Sequence, residues 1–139
     1  MKNLILAVLL SVLAIPAMAS DADYEKSNSE MDVARAYITC GFYGDVSRLG
    51  KHATNIPTAA ISTQDTEKFQ RAAIPHYRAS IVLFGAATEG DGFIADYAEM
   101  VSSIESMLWD KVGNDDSTPA NGTRLYHESN CPMLLKGIK

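Results

Sequence analysis

The amino-acid sequence predicts an all-α fold: a single small bundle of four to five helices, stapled by one disulfide. Three observations lead there. Residues 93–112 repeat apolar side chains with a helical period. No segment alternates apolar and polar residues as a half-buried strand does. The chain holds only two cysteines, Cys40 and Cys131, behind a leader that reads as an export signal.

The leader spans residues 1–19. Lys2 supplies a positive start, Leu4 to Ile15 an apolar run, and Ala17-Met18-Ala19 a small-x-small cleavage site. Pro16 breaks the helix just before that site. The run falls short of the roughly 20 residues that span a bilayer. Cleavage after Ala19 is therefore expected, with no stable membrane insertion afterwards and a bacterial-type destination in the periplasm or outside the cell. The remainder, Ser20 to Lys139, is one domain's worth of chain.

Along that domain, residues 20–28 read as a frayed polar start. Ser27-x-x-Glu30 has the form of a capping box opening a first helix. Met31, Ala34, Ile38 and Gly41 share one face of it, and it stops at Gly41 or continues to Leu49. Residues 50–62 read as a loop. A second helix opens at Ser62 or Thr63, with Asp65 and Glu67 in its first turn. Its inward face carries Phe69, Ala73, Tyr77, Ser80, Phe84 and Ala87, and Pro75 predicts a kink or break near Ile74. The third helix follows Asp91, its expected N-cap, with Phe93, Tyr97, Met100, Val101, Ile104, Met107, Leu108 and Val112 inward and Gly113-Asn114 as its stop. Thr118-Pro119 reads as cap plus first helical residue of a short fourth helix reaching about Asn130. Asn121-Gly122-Thr123 reads as a turn. Cys131-Pro132 is expected to end the fourth helix, leaving MLLKGIK as a tail.

Two cysteines in an exported chain are expected to pair. A Cys40–Cys131 bond would close a loop of about 90 residues, worth about 4 kcal/mol by chain entropy. Ala36, Cys40 and Gly44 lie four apart, so a continuing helix would present small residues to a close neighbour. Cys40-Gly41-Phe42 also resembles the start of the Cys-Gly-Phe-Ser signature of monothiol glutaredoxins. Tyr43 stands where that serine belongs, the preceding segment is helical in pattern, and no residue role carries over.

Recognisable chemistry is sparse. His52, His76 and His127 have no histidine neighbour at ligand spacing, and no Cys-x-x-Cys occurs, so no metal or cofactor is expected. Asn114, Asp116 and Thr118 lack the central glycine and distal glutamate of a calcium loop. His76 in a cleft would suit a general base, but a partly exposed helix position is the simpler reading. Tyr126, His127 and Glu128 mix aromatic and charged groups as binding surfaces do, or form the packing edge of a terminal helix. No catalytic motif appears, and the chain is not expected to be an enzyme.

Charge is the stronger signal. Removing Lys2 takes the net charge from −5 to −6. Between Glu89 and Asp116 stand eight acidic residues against Lys111 alone. Such a field repels nucleic acid and anionic lipid; its simpler reading is a solvated surface that keeps the protein soluble, and it could also attract a basic protein. Asp96, Glu99, Glu105, Asp110, Asp115 and Asp116 are the candidate partner-binding face. In general layout the chain resembles the small helical, disulfide-bonded periplasmic immunity proteins that neutralise cell-wall amidases. That resemblance implies an inhibitor or immunity protein acting on a cell-envelope enzyme or toxin, and carries no residue over. Two other roles fit the composition. One is a carrier of small apolar ligands, its cavity lined by Tyr37, Phe69, Tyr77, Phe84, Tyr97 and Trp109. The other is a structural envelope protein. The leader reading is checked by N-terminal sequencing of the exported protein, which is expected to begin at Ser20. A first residue of Met1 would overturn it.

Overall fold

A computed structural model describes residues 20–49, 61–86 and 88–138. The leader, most of the loop expected over 50–62 (with His52), and Ala87 lie outside these residues. Five helices are present among the described residues: α1 (Asp21–Leu49), α2 (Thr63–Val82), α3 (Gly90–Val112), α4 (Thr118–Glu128) and α5 (Cys131–Gly137). There is no strand among the described residues. The small all-α fold and its disulfide are as the sequence predicts.

α1 begins earlier than expected. The Ser20 hydroxyl accepts the Asp23 backbone N–H at 3.2 Å, and the Asp23 carboxylate accepts the Ser20 backbone N–H at 3.1 Å. That reciprocal pair is a capping box at the very start of the polar stretch, residues 20–28, that the sequence suggested would fray. Ser27, the expected cap, is instead a buried interior residue of the helix. Its hydroxyl donates to the Ser80 carbonyl of α2 at 2.7 Å. The same Ser-x-x-Asp device opens α2: Ser62 is the N-cap, its hydroxyl takes the Asp65 N–H, and Asp65 returns the bond. The hydrogen bond from the Lys68 ammonium, and then two from Ser62, hold the Asp65 carboxyl down at about 2.

α2 runs unbroken through Pro75, correcting the expected break. Proline leaves the carbonyl four residues back without its helical donor. Pro75 lies on the exposed side of α2, where water can supply that bond. The inward face is Phe69, Ala73, Tyr77 and Ser80. Phe84 is not part of it: the helix has ended at Val82, and Phe84 lies 56% exposed with its ring edge-on to Tyr24.

α3 starts at Gly90, whose positive φ of 78° makes the turn into the helix, and Glu89 rather than Asp91 holds the cap position. Asp91 sits inside the first turn, where the helix dipole favours an acid. Phe93, Ile104, Leu108 and Val112 are buried, whereas Met107 is 58% exposed. α4 is capped at Ser117, one residue before the expected Thr118, with Pro119 in its first turn. Asn121 and Gly122 lie within this helix, not in a turn. The expected tail is helical too. Asn130 adopts a left-handed φ of 59°, which closes α4 and opens α5. Leu134, Leu135 and Ile138 then fold back onto the core.

α1 is the central element and packs against all four others. Cys40, Gly41, Phe42, Tyr43 and Gly44 are buried in succession, so this stretch has no solvent face. Gly41 faces Phe69 of α2, and Gly44 faces Ile61 and Thr66. Gly122 of α4 lies against Val46 and the Ser47 backbone. Cys40 is bonded to Cys131, with Cα atoms 5.4 Å apart, which pins α5 to the middle of α1 across a sequence separation of 91. A Cβ built on Gly122 would stand 2.8 Å from Val46 Cγ1 and 3.0 Å from the Ser47 nitrogen. Gly122→Ala is therefore expected to lower stability by about 1–3 kcal/mol in urea unfolding. Gly92→Ala, with open space around it, is expected to leave stability unchanged or raise it by up to about 1 kcal/mol.

Candidate functional site

The site is built on α3, a helix whose closest neighbours are α1 and α4 rather than α2. It lies against α1 and α4 and reaches α2 through long aromatic side chains. The Tyr77 ring meets Phe93 at 5.7 Å and Tyr97 at 5.4 Å, and the Tyr97 hydroxyl donates to the Gln70 carbonyl at 3.2 Å. Arg78 lies over the Phe93 ring at 5.1 Å. Holding a helix off by aromatic rings leaves grooves along its flanks. On one side, Arg35 and Thr39 of α1 face Met100, Ser103, Ile104, Met107, Leu108 and Lys111. On the other, Gln70, Arg71 and Ile74 of α2 face Tyr97, Ala98, Val101, Ser102 and Glu105 across a groove of about 490 Å³.

The predicted acidic residues divide between two surroundings. At about 100° per residue, Asp96, Glu99 and Asp110 share the outer face of α3, while Glu105 lies about 180° round from Asp96. Asp96, Glu99 and Asp110 are exposed, and the first two lend negative field to the buried Tyr77 phenol, whose pKa is raised chiefly by burial. Glu105 is half-buried in the α2–α3 groove. Burial, and then the Asp45 carboxylate of α1, push its pKa up. Asp115 and Asp116 lie in the turn before α4. The Asp115 carboxylate accepts the Ser117 N–H and hydroxyl, which hold its pKa down.

The pairing pattern separates this surface from the rest. Elsewhere most acids have basic partners: Asp32 with Arg35, Asp45 with Arg48, Asp65 with Lys68, Glu67 with Arg71, Glu30 with His76, and Glu128 with Arg124, whereas Asp21, Asp23 and Glu25 at the start of α1 make no ion pair with a described residue. No acid between Glu89 and Asp116 makes an ion pair with any described residue.

The remaining candidates fall elsewhere. Cys40 and Cys131 are joined and have no free thiol to offer. His76 Nδ1 lies 2.6 Å from Glu30 Oε2, joining α2 to α1, with the Tyr37 ring packed on the imidazole at 5.6 Å. His76 lines a cleft with Tyr37, Lys68, Arg71, Pro75 and the end of α5. Tyr126 is a core residue and His127 an exposed one beside it. The six aromatics suggested for a ligand cavity do not converge: Phe69 and Tyr77 are core, Tyr37 and Tyr97 line different grooves, Phe84 is exposed, and Trp109 stands edge-on to Phe42 at 5.1 Å. No group of His, Cys, Asp or Glu among the described residues is placed to hold a metal ion. No described helix is long and apolar enough to cross a membrane. Comparison with protein-family models, curated proteins and solved structures returned no match.

Sequence reasoning grouped Glu105 with the other acids and missed the groove around it. The helical wheel of α3 carries the signal, because Glu105 falls beside the apolar stripe rather than opposite it. The linkage sign follows from the raised pKa. Above the ordinary value of 4.5, the folded chain holds the Glu105 proton more tightly than the unfolded chain. Stability therefore falls as pH rises from there through the folded-state value. Glu105→Gln is expected to match the parent protein near about pH 4 and to exceed it near about pH 7, because it removes that fall. Paired urea titrations at the two pH values check this.

Proposed function

We propose that this chain is an exported helical protein that works by binding a basic protein partner through the surface of α3 and the turn that follows it. The single observation that carries this reading is the run of uncompensated acids from Glu89 to Asp116 in a molecule whose other acids are largely paired. Unpaired like charges on one helix repel and cost stability, so a partner of opposite sign gains from relieving them. The exposed apolar side chains Ile94, Met107 and Trp109 on the same helix would supply contact area. Export is supported by the leader, by the disulfide, and by the capping serine standing just beyond the expected cleavage site. Inhibition of, or immunity to, a basic cell-envelope enzyme or toxin fits this set.

Cross-linking in envelope extract of the native host is expected to trap a basic protein on α3. Capture is expected to weaken as salt shortens the Debye length below about 10 Å. Reversing Asp96, Glu99 and Asp110 together to lysine should slow association roughly tenfold or more at low salt. All three are exposed and unpaired, so the variant keeps its fold, as a thermal melt would verify. Capture indifferent to both salt and charge reversal would sink the reading.

A further inference from the structure

The α2–α3 groove presents a combination that the outer acidic face does not. Its walls are apolar: Ile74 on one side, Tyr97, Ala98 and Val101 on the other. At one end stands Glu105, half-buried, repelled by Asp45, and within ion-pair distance of no base among the described residues. Asp45 has its own counter-ion in Arg48. Arg71, the one cation among the described residues lining the groove, is turned to Glu67 at 3.4 Å. A carboxylate desolvated without a counter-charge is unfavourable in the free protein and becomes favourable when a cation is delivered to it. The groove also selects the form of that cation. An aliphatic stem would lie along Ile74 and Val101, and Ser102 and the Gln70 side chain could accept the remaining N–H groups of its charged head.

We infer that this groove is the anchor pocket for a lysine or arginine side chain of the protein partner, with Glu105 as its counter-ion. The inference rests on the binding reading above and gives it a residue-level centre: the outer acids steer, and Glu105 receives the inserted side chain. A solvated bare ion gains nothing from the apolar walls, and an uncharged apolar side chain leaves Glu105 unpaired. The pocket therefore discriminates for a charge on a hydrocarbon stem.

The test titrates the oxidised protein, carrying labelled Ile and Val methyls, with a short capped peptide of alternating alanine and lysine. The matching alanine–glutamine peptide and spermidine are titrated in parallel. The lysine peptide is expected to shift the Ile74 and Val101 methyls saturably, and the glutamine peptide is not. Glu105→Gln is expected to weaken the lysine peptide about tenfold. It breaks no ion pair and keeps the side-chain shape, so the fold persists. Ala98→Trp, at an exposed wall position, is expected to block the groove as an independent check. Shifts confined to the outer face of α3, or unchanged by Glu105→Gln, would overturn the pocket while leaving the steering surface standing. Equal binding of the glutamine peptide would overturn the role of charge. Spermidine binding as tightly as the peptide would assign the groove to small polyamines instead of a protein. If the outer-face reversals leave partner capture intact while the lysine peptide still occupies the groove, the fault lies with the steering surface and not with the pocket.

Discussion

The middle of α1 is surrounded. A helix normally keeps a polar face for water, but residues 40–44 are all buried, and Val46 and Ser47 follow them inside. Each direction around this stretch is claimed by a different neighbour. Gly41 and Gly44 admit the start of α2, Val46 and Ser47 meet Gly122 of α4, Cys40 is bonded to α5, and Phe42 meets Trp109 of α3. The small residues are a steric necessity: four elements reach one cylinder only if some of its side chains are absent. The disulfide works on the same constraint from the unfolded side. By chain entropy a loop of this length is worth about 4–5 kcal/mol, and the bond ties the last helix to the centre of the first.

The two halves of the α1–α2 contact are held by different chemistry. Toward Leu49 the contact is close and apolar, through glycine faces against Phe69, Ile61 and Thr66. Toward Asp21 it is spaced by polar links. Ser27 reaches the Ser80 carbonyl, Ser80 its own Tyr77 carbonyl, and Glu30 reaches His76. A hydroxyl bonded to a carbonyl inside the interface contributes about 1 kcal/mol net and costs more than that if left unpaired. These links fix the relative register of two helices where shape alone would let them slide.

This division explains what could be read from the sequence. α3 was legible because only one of its faces is buried, so its apolar residues keep a clean period. α1 was legible as a helix but not in extent, because a segment buried on all sides shows no period, and glycine in its interior mimics a stop. The capping box was assigned to Ser27 instead of Ser20 because both stand three residues before an acid. Only the tertiary partner, Ser80, tells a cap from an interior hydroxyl. Cys131-Pro132 resembled a helix end, yet proline is at home in a first turn, and the left-handed Asn130 supplies the restart. The disulfide was legible from compartment and count alone. The acidic cluster was legible as a count, but its split was not, since Glu105 belongs to the groove side of the wheel.

The placement of α3 then acquires a reason within the fold. α3 packs against α1 and α4 but meets α2 through aromatic rings, and that spacing is what leaves the α2–α3 flank grooved. A helix so held tolerates an outer face of like charge, because few of its carboxylates are forced against others in low dielectric. Glu105 is the exception. It lies on the inward edge, where Asp45 of the central helix adds repulsion and burial removes water. Its neighbours in the bundle could have included a base at little structural cost, since Ser102 is exposed and three residues before it on the helix. The missing cation is thus a property of the surface and not of the packing, and it is the reason the groove, more than the outer face, defines what a partner must bring.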